Sequence, residues 1–246
     1  MAEEFKFNIE IVKACPVCDS VDIVFYFKTQ YKGFDLKYWK CNNCTVKFLV
    51  ERMTDKSQRE YYSKAYRKVT NHANENDQNI QIMRARYFSG ILKSLGVTPA
   101  RHLDVGSSVG ILMEEFTREF GCESYGVEWG DENRRIAQEK GLKVTNDYPD
   151  NKFDIITLSH VLEHMNNPVT NLLQLGAFLI DDGYIMVEVP NSEANMHAYL
   201  LHHPIAYNQR SLDVLFERAG FDLVYVSLHS VPFDSPLDLH ITMVLR

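Results

Sequence analysis

Four of the five cysteines fall in two pairs, Cys15-Pro-Val-Cys18 and Cys41-Asn-Asn-Cys44. Each C-x-x-C turns two thiolates inward from one tight knuckle. Two knuckles make a tetrahedral four-sulfur site, which suits Zn²⁺. All four ligands are protein side chains, so no position is left for water and the expected metal is structural. Two disulfides or a redox C-x-x-C are the alternatives. A reducing compartment opposes the first, and a redox motif would occur once, at a strand–helix junction. The intervening segment, Asp22 to Lys40, is rich in aromatic and β-branched residues around Gly33 and reads as a hairpin. Cys122 stands alone and is expected in the core.

A second constellation begins at Asp104, in Asp-Val-Gly-Ser-Ser-Val-Gly, ending at Gly110. A dinucleotide fold needs G-x-G-x-x-G here so that the backbone can approach a pyrophosphate. Position 108 is Ser and position 111 is Ile, which counts against NAD and FAD, and no G-x-x-x-x-G-K-[ST] loop is present. Glu128 follows at the end of the next apolar segment, where a carboxylate can accept from both hydroxyls of a ribose. A tight turn and a ribose clamp without a diphosphate cradle fit a nucleoside cofactor lacking phosphate.

A third is His160-Val-Leu-Glu163-His164, the H-x-x-E-H form of a zinc-peptidase helix, which needs a third ligand. Here it straddles a strand end, and Pro168 opens the next helix, so a continuous metal-binding helix is not expected. Two readings remain: a divalent cation held by Glu163 and His164, or local hydrogen bonds that order the loop. The second is the simpler.

These residues need elements to position them. Residues 51–98 read as helical: a polar, tyrosine-containing segment over 57–68, a polar loop over 71–79, and an amphipathic helix over 80–95 closed by Gly96 and Pro99. From residue 101 strands and helices alternate. Strands are expected at 101–107, 123–129, 142–146, 153–160, 184–191, 222–230 and 240–245. Helices are expected at 109–120, 131–141, 167–180 and 209–221. Such alternation implies a parallel sheet covered on both faces, with ligands at the carboxyl ends of its strands.

The cysteine module resembles a zinc ribbon. The runs at 102–112, 125–130, 153–165 and 181–191 together resemble motifs of class I S-adenosylmethionine-dependent methyltransferases, over about residues 85–246. The resemblance implies an α/β, Rossmann-like, doubly wound seven-stranded sheet whose last strand is antiparallel. It divides the chain into a zinc-ribbon module (1–50), a helical linker or cap (51–98) and a methyltransferase domain (99–246). It also implies that Asp104, Gly106, Ser107 and Gly110 line the methionine end of the cofactor. Glu128 would hold the ribose and Trp129 the adenine, with Asp147 and Tyr148 at the adenine edge and Ser159 and His160 facing the cofactor. Ser108 departs from the family's usual glycine.

A ribbon joined to this core is similar to a subgroup that modifies sugars, often nucleotide-linked, in which a tyrosine pair, here Tyr61 and Tyr62, approaches the cofactor. The larger sugar C-methyltransferases carry a further C-terminal domain, so the implied acceptor is a carbohydrate or nucleotide-sugar hydroxyl. A hydroxyl is a poor nucleophile and benefits from a base. His160, at a strand's carboxyl end, and His203, in the acceptor-facing segment, are the candidates.

Composition bounds these readings. The 246 residues are 45% hydrophobic and 24% charged, with net charge −7. That excludes a disordered chain, a collagen-like fibre and a polybasic nucleic-acid arm. No apolar run spans a bilayer, and the start lacks a secretory signal, so a cytoplasmic location is the expectation. The first 68 residues carry net +4 and the remainder −11, which is weak for RNA. An RNA or protein methyltransferase using the ribbon for recognition, and a non-catalytic binding module on the same fold, are the alternatives. The oligomeric state is not encoded in any motif.

Overall fold

The computed structural model describes residues 7–64, 75–233 and 235–246. At its centre is a seven-stranded sheet. In chain order its strands are β6 (Arg101–Val105), β7 (Glu123–Val127), β8 (Lys143–Thr145), β9 (Phe153–Ser159), β10 (Leu179–Pro190), β12 (Leu223–His229) and β13 (His240–Leu245). Their spatial order is β12-β13-β10-β9-β6-β7-β8, parallel except for β13, which runs antiparallel to both neighbours. This is the α/β seven-stranded doubly wound arrangement expected from the alternation.

Burial on both faces explains the strand sequences. All six residues of β13 are buried, and β9 carries a near-continuous apolar run, as parallel strands covered by helices do. The covering helices are α2 (Glu75–Ser94), α3 (Ile111–Phe120), α4 (Asp131–Glu139), α5 (Pro168–Gly176) and α6 (Gln209–Arg218). Pro168 sits in the first turn of α5, where its missing N–H costs nothing. Asn208 and Ser211 form a reciprocal capping box at the start of α6.

The cysteine module is a second sheet. Strands β2 (Ile23–Tyr31) and β3 (Phe34–Cys41) form the hairpin, and β4 (Lys47–Leu49) follows. The sheet's fourth strand, β11 (Ile205–Ala206), comes from far along the chain and pairs Ile205 with Phe48. The module also rests on α6: Arg218 donates to the Val17 carbonyl at 3.0 Å, and Asn208 donates to Thr45 Oγ1 at 3.0 Å. Cys15, Cys41, Cys44 and Phe48 share one hydrophobic cluster with Leu103, Ile205, Leu212 and Phe216.

Three local expectations are corrected. Glu51–Met53 is not helical but a strand, β5, paired with β1 (Ile9–Ile11); helix α1 (Asp55–Lys64) begins only after it. Of the polar loop expected at 71–79, residues 71–74 lie outside the described residues, as do 65–68 of the helix before it, and α2 already starts at Glu75. The helix expected over 167–180 stops at Gly176, and Leu179 and Ile180 belong to β10. Apolar residues at 179 and 180 fit a buried strand as well as a helix, and pairing of Leu179 with Phe153 decides it.

Candidate active site

The chain leaves β6 in one direction across the sheet and β9 in the other, so their carboxyl ends flank the point where strand order reverses. A crevice belongs there. It is present as a cavity of about 1040 Å³.

One wall is the turn after β6. Gly106 has φ +74°, and a Cβ on it would come 2.5 Å from Val161 Cγ2. Ser108, where the family pattern has glycine, adopts φ +49°. Its N–H donates to Glu128 Oε2 at 2.8 Å, and Gly130 N–H donates to Oε1. The turn and the carboxylate are thus fixed to each other, with lone pairs remaining on both oxygens. Burial pushes the Glu128 carboxyl up, against these two N–H bonds.

Asp104 is buried at the floor and accepts from Thr157 Oγ1 at 2.7 Å. Burial raises its pKa to about 7, opposed by Thr157 and assisted by the charge of Glu128. Ser107 Oγ is buried with no hydrogen-bond partner among the described residues. The wall therefore holds two carboxylates resisting ionisation and an unsatisfied hydroxyl. A ligand carrying positive charge and hydroxyl donors would satisfy it.

The sequence-derived residues divide around this cavity. Asp104, Gly106, Ser107, Glu128, Trp129, Tyr148, Ser159, His160, Tyr62 and His203 line it. Gly110, Asp147 and Tyr61 do not. Gly110 caps α3 at φ +85°, packed against Leu142. Asp147 is exposed and offers its carbonyl to Thr145 Oγ1 at 2.6 Å. Tyr61 is buried behind Tyr62, stacked on His202. Trp129 lies at the rim under the Arg59 guanidinium, 4.8 Å from its ring centre, and Tyr148 stacks on Phe178.

The two histidines differ. His160, at φ +55°, has Nδ1 3.2 Å from Glu163 Oε1 and Nε2 3.0 Å from Glu188 Oε1. Burial and Arg84 oppose its protonation, but the two carboxylates outweigh them and raise its pKa. Both ring nitrogens of His160 face carboxylate oxygens, so neither is directed at a substrate proton. His203 is buried, and its Nδ1 lacks a hydrogen-bond partner among the described residues. Burial, with His164 and His202 adjacent, holds it neutral.

Sequence reading missed the group beneath His160. Glu188 is fully buried, ion-paired with Arg84 of α2, 3.2 Å from Thr242 Oγ1 and 3.5 Å from His229 Nε2. Burial works against its charge, yet Arg84 and His160 hold its carboxyl below the usual range. A lone Glu inside an apolar strand, Val-Glu-Val, was the available signal.

The four cysteines sit apart from the cavity. Their Sγ atoms all lie within 4.8 Å of one another, with Cys15–Cys44 at 3.4 Å and Cys18–Cys41 at 3.6 Å. These are not disulfide distances, and all four thiols are free. Sulfurs about 2.3 Å from one tetrahedral Zn²⁺ lie about 3.8 Å apart, so the donor set fits. Asp19 and Thr45 take φ +58° and +67° one residue beyond each pair, closing the knuckles.

A family profile described as a methyltransferase domain matches residues 80–226. No curated protein matches the chain. Among solved structures, a plantazolicin methyltransferase in complex with a monoazolic desmethylPZN analogue and SAH has TM-score 0.58 at 15% identity, covering 76% of this chain and 92% of that one. The 1,6-didemethyltoxoflavin-N1-methyltransferase of Burkholderia thailandensis, with S-adenosylhomocysteine bound, has TM-score 0.56 at 22% identity, covering 73% and 84%. A Nostoc punctiforme protein has TM-score 0.56 at 19% identity; 68% of this chain is covered but only 56% of that one. These likenesses carry the fold, and the profile carries the family. Together with the crevice above β6 and β9, they make this chain a member of the methyltransferase-domain family and an enzyme of that class.

Proposed function

We propose that the protein transfers the methyl group of S-adenosylmethionine to a hydroxyl of a small carbohydrate or nucleotide-sugar acceptor. One observation carries the donor assignment: Asp104 and Glu128, both pushed toward the neutral form, face one cavity beside the unsatisfied Ser107 hydroxyl. The donor brings a sulfonium, an ammonium and two ribose hydroxyls, which these groups lack. When bound, it supplies an electrophilic methyl for in-line displacement.

In this reading Glu128 accepts from the ribose hydroxyls, and Trp129, Tyr148 and Asp147 flank the adenine. Asp104, Gly106 and Ser107 hold the methionine end, with Gly110 setting the start of α3 behind them. Tyr62 and Ser159 face the cofactor, and Tyr61 supports Tyr62 from behind. His160, held between two carboxylates, positions rather than accepts a proton. His203 keeps a free lone pair and can relieve an acceptor of its proton, directly or through something it binds. The acceptor side is lined by hydrogen-bonding groups such as Asn171, Gln174, Asn195 and His197, which suit a polyol. The four cysteines hold a structural zinc, with residues 1–50 as its module, 51–98 as a cap and 99–246 as the transfer domain.

The test is calorimetric titration of S-adenosylhomocysteine into wild type and Glu128→Ala, followed by labelled methyl transfer to a panel of nucleotide sugars and glycans. Binding lost in the variant and label on a sugar oxygen support the reading. No binding by wild type overturns it. A macromolecular acceptor is the second reading, favoured by the exposed Val24, Phe25 and Tyr26 on β2. Transfer to RNA or protein that falls steeply with salt would establish it instead.

A further inference from the structure

We propose that Glu163, His164 and His203 form a binding site for one first-row transition-metal dication in the wall of the cavity. The H-x-x-E-H segment alone is short of a ligand, and the fold supplies one. His203 arrives from 39 positions beyond His164 in the chain, and the two ring centres lie 4.7 Å apart. One ligand atom from each of the three residues lies within 4.8 Å of the others. Ligand atoms about 2.1 Å from one tetrahedral ion stand about 3.4 Å apart, so side-chain movements of up to about an ångström close the site.

Three details point to a ligand rather than to local bonding. Glu163 is 1% exposed, with Oε1 committed to His160 and Oε2 without a hydrogen-bond partner among the described residues. His203 is 6% exposed, and its Nδ1 is equally unpartnered. Buried polar atoms left so are costly, and a cation between them removes the cost. Finally, His164 Nδ1 lies 2.8 Å from the His202 carbonyl oxygen, which can only accept. The Tyr62 hydroxyl stands 2.8 Å from the same Nδ1; a proton on Nδ1 serves the carbonyl, with the hydroxyl as second acceptor, and leaves the Nε2 lone pair for an ion. A backbone carbonyl fixing the far nitrogen is how metal-bound histidines are oriented.

Two imidazoles and one carboxylate favour zinc, cobalt, iron or manganese over magnesium or calcium. Three protein ligands leave a coordination position for the acceptor, since all three residues line the cavity. This role, unlike the site itself, rests on the methyl-transfer reading. With the ion in place His203 acts as ligand and not as base, and an acceptor hydroxyl on the ion loses its proton to solvent. Its oxygen then forms the O–CH₃ bond as the S–CH₃ bond breaks, and sulfur regains the electron pair as the thioether.

The experiment uses the full chain with zinc already at the cysteines, titrated with Co²⁺ in the absence of donor and acceptor. Wild type should take one cobalt per chain, with visible d–d bands and no sulfur-to-cobalt charge transfer. His203→Asn and His164→Gln should each weaken binding by more than the roughly 10–100-fold that a lost outer partner costs. Exposed Glu139 of α4, changed to Ala, should leave binding intact. No cobalt uptake by wild type, sulfur-ligand spectra alone, or unchanged affinity in both folded histidine variants would overturn the site. Cobalt bound by a chain that transfers no methyl would leave the site standing and remove the transfer reading.

Discussion

The Tyr38 hydroxyl, on the inner strand β3 of the cysteine module, stands 2.9 Å from the carbonyl of His203 and 3.0 Å from that of Leu200. Tyr38 is fully buried. The loop that carries His203 is therefore tied to the module as well as to the segments that follow β9 and β10.

Tyr38→Phe should expose the value of that tie. Two buried carbonyls lose a donor, and destabilisation of about 1–3 kcal/mol is expected. Urea unfolding measures it. Turnover should fall further than cofactor affinity, because the loop faces the acceptor side.

Removing the metal expected at the cysteines should unsettle the same loop. Cys41→Ser, or a strong chelator, should cost several degrees of melting temperature and about one zinc per chain by elemental analysis. Unchanged melting after complete zinc loss would count against a structural ion.

Gly106→Ala tests the turn. At φ +74°, with Val161 Cγ2 2.5 Å from the new Cβ, the variant must strain the backbone and displace a stiff side chain. Strain of about 1–3 kcal/mol is expected. Calorimetry should show S-adenosylhomocysteine binding weakened beyond detection in a chain that still folds.

Asp104 makes stability depend on pH with an unusual sign. Its pKa is about 7 in the folded chain against 3.8 ordinarily. Between those values the folded state keeps a proton that the unfolded chain has lost. Stability from this group is thus full below about pH 4 and is lost as pH rises to about 7. Asp104→Asn should remove that slope and melt higher than wild type at pH 8. A wild-type curve without such a fall, or one unchanged in the variant, would contradict this.

Arg84 and Glu188 form the buried ion pair under His160. Arg84→Met leaves a buried carboxylate short of its main partner, and a loss of about 3–5 kcal/mol is expected. Adding Glu188→Gln should recover part of it. The double-mutant cycle in chemical denaturation reads the coupling directly.

Much of this was legible in the residues. The strand–helix alternation after residue 101, the stop at Gly110 and the acid at Glu128 are local patterns, and local patterns survive into the fold. The cysteine knuckles were legible for the same reason. What was hidden depends on distance along the chain. Nothing near Ile205 announces that it pairs with Phe48, or near His203 that it meets Glu163. Glu51–Met53 is too short for any period to declare it a strand; only Ile9–Ile11 makes it one. The position of His160 at a strand's carboxyl end was readable; its two carboxylate neighbours, one of them in another strand, were not.

The pairing of β11 with β4 also sets a schedule. On the ribosome, Phe48 emerges roughly 160 residues before its partner, on the order of ten to thirty seconds at bacterial or eukaryotic speeds of about 5–20 residues per second. Through that interval the newborn amino-terminal hairpin has an open flank and an unfilled seat where Ile205 will later lodge. A nascent chain of this protein is thus most exposed to mispairing along this hairpin, and the hazard ends only when Ile205 has emerged.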